Sequence, residues 1–581
     1  MIHAAVRPLQ GVLVLMALAA PVQSGDRIVG EAFATRSPVL AREGMVCASQ
    51  PLAAQVGLQV LRDGGSAVDA AIATNATLGL MEPTGCGVGG DLFVIYWDNA
   101  KQELVGLNGS GRSPRDLDLA GMKAKLADLG VDHIPPFSAL AVSVPGAVDG
   151  WFAMHERYGK LPMARLLAPA VEYAREGFPM SQVIAEYWRL SERRFKDIPG
   201  FGDVFLPEGR PVREGEIFRN PLLADTYEAL AAGGRDAFYT GPIAEAMVDR
   251  VLAGGGVLSL EDLSQHRSEW VDPVAVSYRG HELWELPPNG QGLAALQMLA
   301  VMEAWPADAG PLGWHRAIEA KKLAYEDRAR FYADMAMADV PVPWLLSDEY
   351  AEQRRALVDD DVAARQLAAG SPPGEGDTIY LTAADADGNV VSWIQSNYMG
   401  FGSGLVPEGT GFCLQNRGKL FHLDEGHANA YGPGKRPFHT IIPAMLTRAG
   451  VPVLSFGVMG GGMQPQGHVQ IVSNILDHGM NVQEAGDAPR WRHDGSSQPT
   501  GEVMDDGGVV HLESGVPDSI VEGLRARGHT VRIGAGGYGG YQAIWIDDLT
   551  GERVYRGASE SRKGGAAVGF CSAATSGPGS G

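Results

Sequence analysis

Cysteine is scarce in this sequence: 581 residues carry four, Cys47, Cys86, Cys413 and Cys571. These are too few for a disulfide scaffold of this size and their intervals match no metal-binding pattern, so no metal is expected and the disulfide state stays open. Basic charge is in deficit, with 47 Lys and Arg against 69 Asp and Glu and a net charge of −22. Nucleic acid and anionic membrane surfaces are bound through local positive charge that displaces counterions, which argues against both as partners. Long apolar runs are lacking too. The exception, GVLVLMALAA at 11–20, follows Arg7 and leads into small residues up to Ser24. It is too short to span a bilayer, so no stable membrane span is expected, and residues 1–24 read as a secretory signal with an uncleaved anchor as the alternative. A periplasmic or secreted protein is expected.

What is present is a 45% hydrophobic fraction, enough for a sizeable core. Residues 50–80 hold alanine-rich helical stretches interrupted by Gly64 and Gly65, and DLFVIYWD (91–98) and ELVGLNGS (103–110) read as strands. A helix-rich middle runs from about 145 to 357, with a Pro-Asn-Gly turn at 288–290. After Thr378 the texture changes to strands and glycine-rich turns, with one helix-like run at 467–479, and the tail SGPGSG reads as loose. No internal repeat is visible.

Several motifs fail on context. GCGVGG (85–90) satisfies G-x-G-x-x-G, but a dinucleotide fingerprint needs a strand before it and a helix after it, and here that order is reversed. Its glycines more simply let the backbone pass close under a neighbouring element. DADGN (385–389) begins like a calcium loop, yet Val390 stands where such a loop needs glycine, so a hairpin turn at Asp387-Gly388 is the better reading. His422 and His427 fit no standard metal spacing and read as solvated loop residues.

One step holds more promise. In GEGDTIYLTAADADGN (374–389), attack of the Thr378 hydroxyl on the Asp377 carbonyl would turn the peptide into an ester, and water would then cut the chain. The new N-terminal threonine carries nucleophile and base together, because its α-amine, with a reference pKa of about 7.7 to 8.0, can accept the hydroxyl proton. The oxyanion needs donors, and the glycine turn at Gly460 to Gly462 can present backbone N–H groups closely.

The stretches 44–83, VPGAVDGW (144–151), PPNGQGLAALQ (287–297), GDTIYLTAADADGN (376–389), GPGKRPFHTIIPAM (432–445) and GASESRKGGAAVG (557–569) together resemble the gamma-glutamyltranspeptidase family. The resemblance implies an α/β N-terminal-nucleophile hydrolase fold, a four-layer αββα sandwich made as one precursor. Cleavage at Asp377-Thr378 would give a large subunit, 25–377, and a small catalytic subunit, 378–581. It implies Thr378 as nucleophile and Gly460 and Gly461 as the oxyanion pair. Arg112 matches an arginine that grips the substrate carboxylate. Ser396 stands where a second threonine flanks the nucleophile, Asn416 keeps the family pattern, and Thr440 matches a hydroxyl residue near the substrate carboxylate, while His439 replaces a serine. No cofactor is implied.

Two departures bear on substrate. Arg417 and Leu420 fall where glutathione-cleaving members carry Gln and Asp, and that Asp pairs with the α-ammonium of a γ-glutamyl group. Residues 421–435 are also short compared with members that have a lid. The leading expectation is hydrolysis or transfer of γ-glutamyl amides such as glutathione. An acylase for carboxyacyl amides without the α-amine is the alternative, and a secreted binding protein without turnover is the reading from another class.

Overall fold

The computed structural model describes residues 29–367, 377–534, 536–548 and 551–571. The proposed signal 1–24 and the C-terminal SGPGSG lie outside these residues. The alanine-rich stretch forms helices Pro51–Arg62 and Ala67–Met81, separated by Gly64 at a φ of 90°. Gln50 caps the first, and the second opens with a capping box in which Ser66 and Asp69 each accept the other's backbone N–H. Every residue of Ala67–Met81 is buried, which explains its lack of a polar face.

Apart from a three-stranded and a two-stranded sheet, the strands form two seven-stranded sheets. In one, Asp377–Ala384 lies between Gly44–Ala48 and Val390–Tyr398, followed outward by Asp91–Asp98 and Glu103–Gly109. In the other, Val451–Val458 lies between Ala444–Arg448 and Tyr541–Asp548. The sheets stack face to face around Met45, Phe93, Tyr380, Ile394, Met445 and Ile544. The outer face of the first packs on the 51–62 and 67–81 helices, and that of the second on Gly292–Met302 and Gln464–Leu476, with Pro311–Phe331 stacked on the first of these. This is the αββα sandwich. Among the described residues no helix is long and apolar enough to cross a membrane.

The Asp377–Ala384 strand is buried on both faces. Ile379, Leu381 and Ala383 join the helix-side core, whereas Tyr380 and Ala384 point between the sheets and Thr382 bonds Ser455 of the opposite sheet at 2.8 Å. Its hairpin turns at residues 385–389 with Gly388 at a φ of 87°, as the sequence suggests.

Two regions differ from the sequence reading. The helix-rich middle contains five short strands: Phe178–Pro179 and Ile217–Phe218 pair with each other, and Glu269–Val271, Val274–Tyr278 and His281–Glu285 extend the edges of the two large sheets, all too short to show a clear alternation. The helix expected at 467–479 starts at Gln464, and two more, Val482–Asp487 and Asp518–Ala526, follow it.

Asn75 ties the second helix to the sheet: its carbonyl oxygen accepts the indole N–H of Trp151 (2.8 Å) and Trp393 (3.1 Å), and its amide donates to Gln395 (2.8 Å). Replacing Asn75 with Leu strands these buried groups, at about 1–3 kcal/mol for each unmet one. The expected outcome is a clearly lower apparent Tm and urea midpoint, read by circular dichroism.

Candidate active site

Thr378 is buried near the start of its strand. Its hydroxyl donates to Ser396 Oγ at 3.4 Å and accepts from Gln464 Nε2 at 3.5 Å, both at the long limit for a hydrogen bond. Ser396 Oγ in turn accepts the backbone N–H of Tyr398 at 2.8 Å. The ladder shifts register here: Asp377 faces Tyr398 but Ile379 faces Gln395, so the Ser396 side carries an extra residue, and Tyr398 takes a φ of 80°. This bulge aims Ser396 at the threonine.

The GCGVGG stretch supports the same spot from below. A Cβ on Gly85 would lie 3.5 Å from the Thr378 carbonyl carbon, one on Gly90 would lie 2.5 Å from the Ser396 carbonyl oxygen, and one on Gly89 would lie 2.1 Å from that of Cys413. Close backbone passage, rather than phosphate binding, is what these glycines allow.

Across the site, Val451–Val458 runs into a turn with Gly460 and Gly461 at φ values of 109° and 55°. The Gly460 carbonyl accepts from Met463 N at 2.9 Å, and the Gly461 carbonyl accepts from Gln291 Nε2 at 2.8 Å. Gln464, which begins the next helix, links this turn to Thr378: its Oε1 accepts Ile442 N–H at 3.0 Å, which leaves Nε2 facing the threonine hydroxyl. The sequence reading did not single out Gln464. Beyond the turn lies a cavity of about 570 Å³ lined by Gly460, Gly462, Met459, Tyr187, Tyr325 and Lys321.

Arg417 and Thr440 reach the same bulge through the Tyr398 ring. Arg417 is fully buried, donates from Nη1 to Thr440 Oγ1 at 2.6 Å, and stacks 4.8 Å from the Tyr398 ring centre. Its Nε and Nη2 have no hydrogen-bond partner among the described residues. Burial lowers its pKa to about 10, so it is still cationic at neutral pH. Asp91 lies close enough to feel that charge, but its oxygens already accept from Gly111 N, Gly146 N, Gln415 Nε2 and His439 Nε2. Burial lifts Asp91 to about 7, against the pull of Arg417.

Three residues expected on the substrate are placed otherwise. Arg112 pairs with Glu269 at 2.8 Å and Asp334 at 3.0 Å and lines a separate cavity of about 120 Å³, because carboxylates distant in sequence fold onto it. His439 donates to Asp91 at 3.0 Å and accepts from Ile441 N at 3.4 Å; burial pushes its pKa well down, so the neutral ring keeps no N–H for a ligand. The Asn416 amide bonds the Pro136 carbonyl and Met399 N–H, clamping its own loop. Leu420 is buried in the apolar core and contributes no charge.

Among the described residues one cluster brings metal-type donors together: His315, Glu319 and His529. The histidines bond each other at 2.8 Å, and the Lys322 ammonium lies 2.8 Å from Glu319, an arrangement that opposes a dication. His422 and His427 stack with ring centres 4.1 Å apart; His422 Nδ1 accepts the Asp424 N–H, and His427 Nε2 bonds the Ala329 carbonyl of the Pro311–Phe331 helix.

The Asp91 proton has a testable consequence. Between about pH 4 and pH 7 the native protein holds a proton that the unfolded chain has released, so this carboxyl's contribution to stability falls as pH rises through that window. Asp91→Asn is expected to flatten that part of the stability curve, measured as Tm at pH 5 and pH 8 in matched ionic strength; an unchanged slope would contradict it.

The sequence profile of the gamma-glutamyltranspeptidase family matches residues 53–570. The glutathione hydrolase-like YwrD proenzyme of Bacillus subtilis is 36% identical, covering 92% of this chain and 99% of that protein. The oxamate amidohydrolase proenzyme of Klebsiella pneumoniae is 35% identical, covering 91% and 98%. The crystal structure of cephalosporin acylase from Bacillus halodurans superposes with a TM-score of 0.85 at 42% identity, covering 94% and 99%.

Proposed function

The chain belongs to the gamma-glutamyltranspeptidase family, and on that premise we propose that it is a self-cleaving amidohydrolase for amides of short acyl groups that carry a second, distal carboxylate. The observation that carries this reading is Arg417: a buried cation with two unmet N–H groups, stacked on the Tyr398 ring of the bulge that faces the start of the Thr378 strand and bonded to the Thr440 hydroxyl. A buried charge without a partner is costly, and a guanidinium edge matches a carboxylate in shape and charge. A carboxyacyl group supplies that partner. A γ-glutamyl group also brings an ammonium, and the position that would answer it is Leu420. Hydrogen bonds to charged groups contribute roughly 1.5–3 kcal/mol, so an unanswered ammonium lowers preference by about one to two decades. The names oxamate amidohydrolase and cephalosporin acylase among the relatives support an amide-cleaving enzyme beyond glutathione.

Processing comes first. Thr378 Oγ attacks the Asp377 carbonyl carbon, the C–N bond breaks, and the threonine nitrogen takes up the hydroxyl proton. Water hydrolyses the resulting ester, leaving a carboxylate at Asp377 and a free amine and hydroxyl at Thr378. In turnover that amine accepts the hydroxyl proton as Oγ attacks the substrate carbonyl. The Gly460 and Gly461 N–H groups stabilise the oxyanion. Collapse expels the amine with the proton, and water or an acceptor amine releases the acyl group from Thr378. Ser396 and Gln464 hold the hydroxyl in line.

Two measurements test this. Wild-type protein on a denaturing gel is expected to give two bands and Thr378→Ala one; a single full-length wild-type band would favour a binder without turnover. For release of a chromogenic aniline, kcat/KM for the glutaryl amide is expected to exceed that for the γ-glutamyl amide by about tenfold or more. Arg417→Met should lower the glutaryl value roughly 100-fold while sparing an uncharged acyl amide. A γ-glutamyl preference, or an Arg417→Met variant with unchanged selectivity, would overturn the carboxyacyl assignment.

A further inference from the structure

A second buried guanidinium stands on the opposite side of Thr440. Arg328, in the last turn of the Pro311–Phe331 helix, is fully buried, with the Tyr325 ring centre 3.8 Å and the Phe438 ring centre 5.6 Å from its guanidinium carbon. Its Nη1 donates to Gln291 Oε1 at 2.6 Å, while Nε and Nη2 have no hydrogen-bond partner among the described residues. Gln291 is equally buried, and the contact with Arg328 decides which end of its amide is which. Its Nε2 therefore faces two carbonyls and donates to both, Thr440 O at 2.6 Å and Gly461 O at 2.8 Å.

These contacts span the site. The Gly461 carbonyl fixes the plane of the 461–462 peptide, and Met463 N on the Gly460 carbonyl fixes the 460–461 plane just before it. The glycines sit in the left-handed region and have no side chains to restrain them, so the turn is held by its own Met463–Gly460 bond and, from outside, by Gln291 on the Gly461 carbonyl. The other branch of Gln291 holds Thr440, whose hydroxyl meets Arg417. One amide thus ties the oxyanion turn to the Thr440 main chain, while the Thr440 side chain keeps its own bond to Arg417, and a cation without a carboxylate partner among the described residues polarises the amide from behind in a dry interior.

We propose that Gln291, oriented by Arg328, is the positioning residue that sets the oxyanion turn for both chain cleavage and amide turnover. This rests on the reading of Thr378 as nucleophile and goes beyond it in assigning a role to two side chains that need not touch substrate. Negative charge that develops beside Gly461 meets donors already aimed, so the effect falls on the transition state rather than on binding.

Gln291→Glu discriminates. Glutamate keeps an oxygen for Arg328 but offers neither Thr440 O nor Gly461 O a donor. The expected result is slowed appearance of the two subunit bands and a roughly 100-fold lower kcat on the glutaryl amide, with KM and competitive inhibition by free glutarate within about threefold of wild type. Arg328→Met leaves the glutamine amide in place but unpolarised, and should lower kcat about tenfold with the same unchanged KM. Near-UV circular dichroism checks that each variant is folded, and Arg328→Met carries the test if Gln291→Glu is not. Wild-type rates of cleavage and turnover in a folded Gln291→Glu, or a loss confined to KM, would overturn the proposal. A wild-type chain that never cleaves would instead overturn the reading of Thr378, and this assignment with it.

Discussion

A strand buried on both faces gives its first residues no freedom of outlook. Asp377–Ala384 is held by neighbours on either side, by helix-side packing at Ile379 and Leu381, and by Tyr380 and Thr382 against the opposite sheet. Thr378 must then emerge where the two sheets part, between Ser396 of its own sheet and Gln464 beyond the end of a strand in the other. The site exists because two sheets, each carrying half of it, are locked face to face.

Charge follows from that burial. A protein with a net charge of −22 keeps two fully buried arginines, Arg328 and Arg417, on either side of Thr440. In a dry interior a cation acts over a longer range than at the surface, and leaving it without a counter-charge is unfavourable. Asp91, lifted to about 7 by burial, does not fully supply that counter-charge at neutral pH. The arrangement suits an anionic acyl group, and it is the reverse of what the overall composition suggests.

Much of the framework is legible in the chain because local rules and tertiary packing agree there. Gly64 at a left-handed φ ends a helix, Ser66 and Asp69 cap the next, and Asp385 to Asn389 turn a hairpin around Gly388. The three short strands between 269 and 285 escape because so few residues give no period to read, and sheet-edge pairing decides their state. At the site, Thr378 and Ser396 are separated by one hairpin, so their meeting follows from local pairing. Arg112 and Arg417 look alike as text. Only the folded chain brings Glu269 and Asp334 to the first and leaves the second partly unmatched. Gln291, Arg328 and Gln464 carry no pattern at all, since an interior polar residue is recognised by what it bonds.

From its sequence alone this protein was already committed to a sandwich of helices and strands, to an Asp-Thr step at the start of an interior strand, and to a glycine turn ahead of a helix. Those depend on contacts within a few residues or on periodicity along one element. Which arginine is paired with carboxylates and which keeps unmet N–H groups, and which histidine is locked as a neutral link, were decided only in three dimensions. A buried polar group takes its role from partners hundreds of residues away, and their distances and burial set its charge and its free N–H groups.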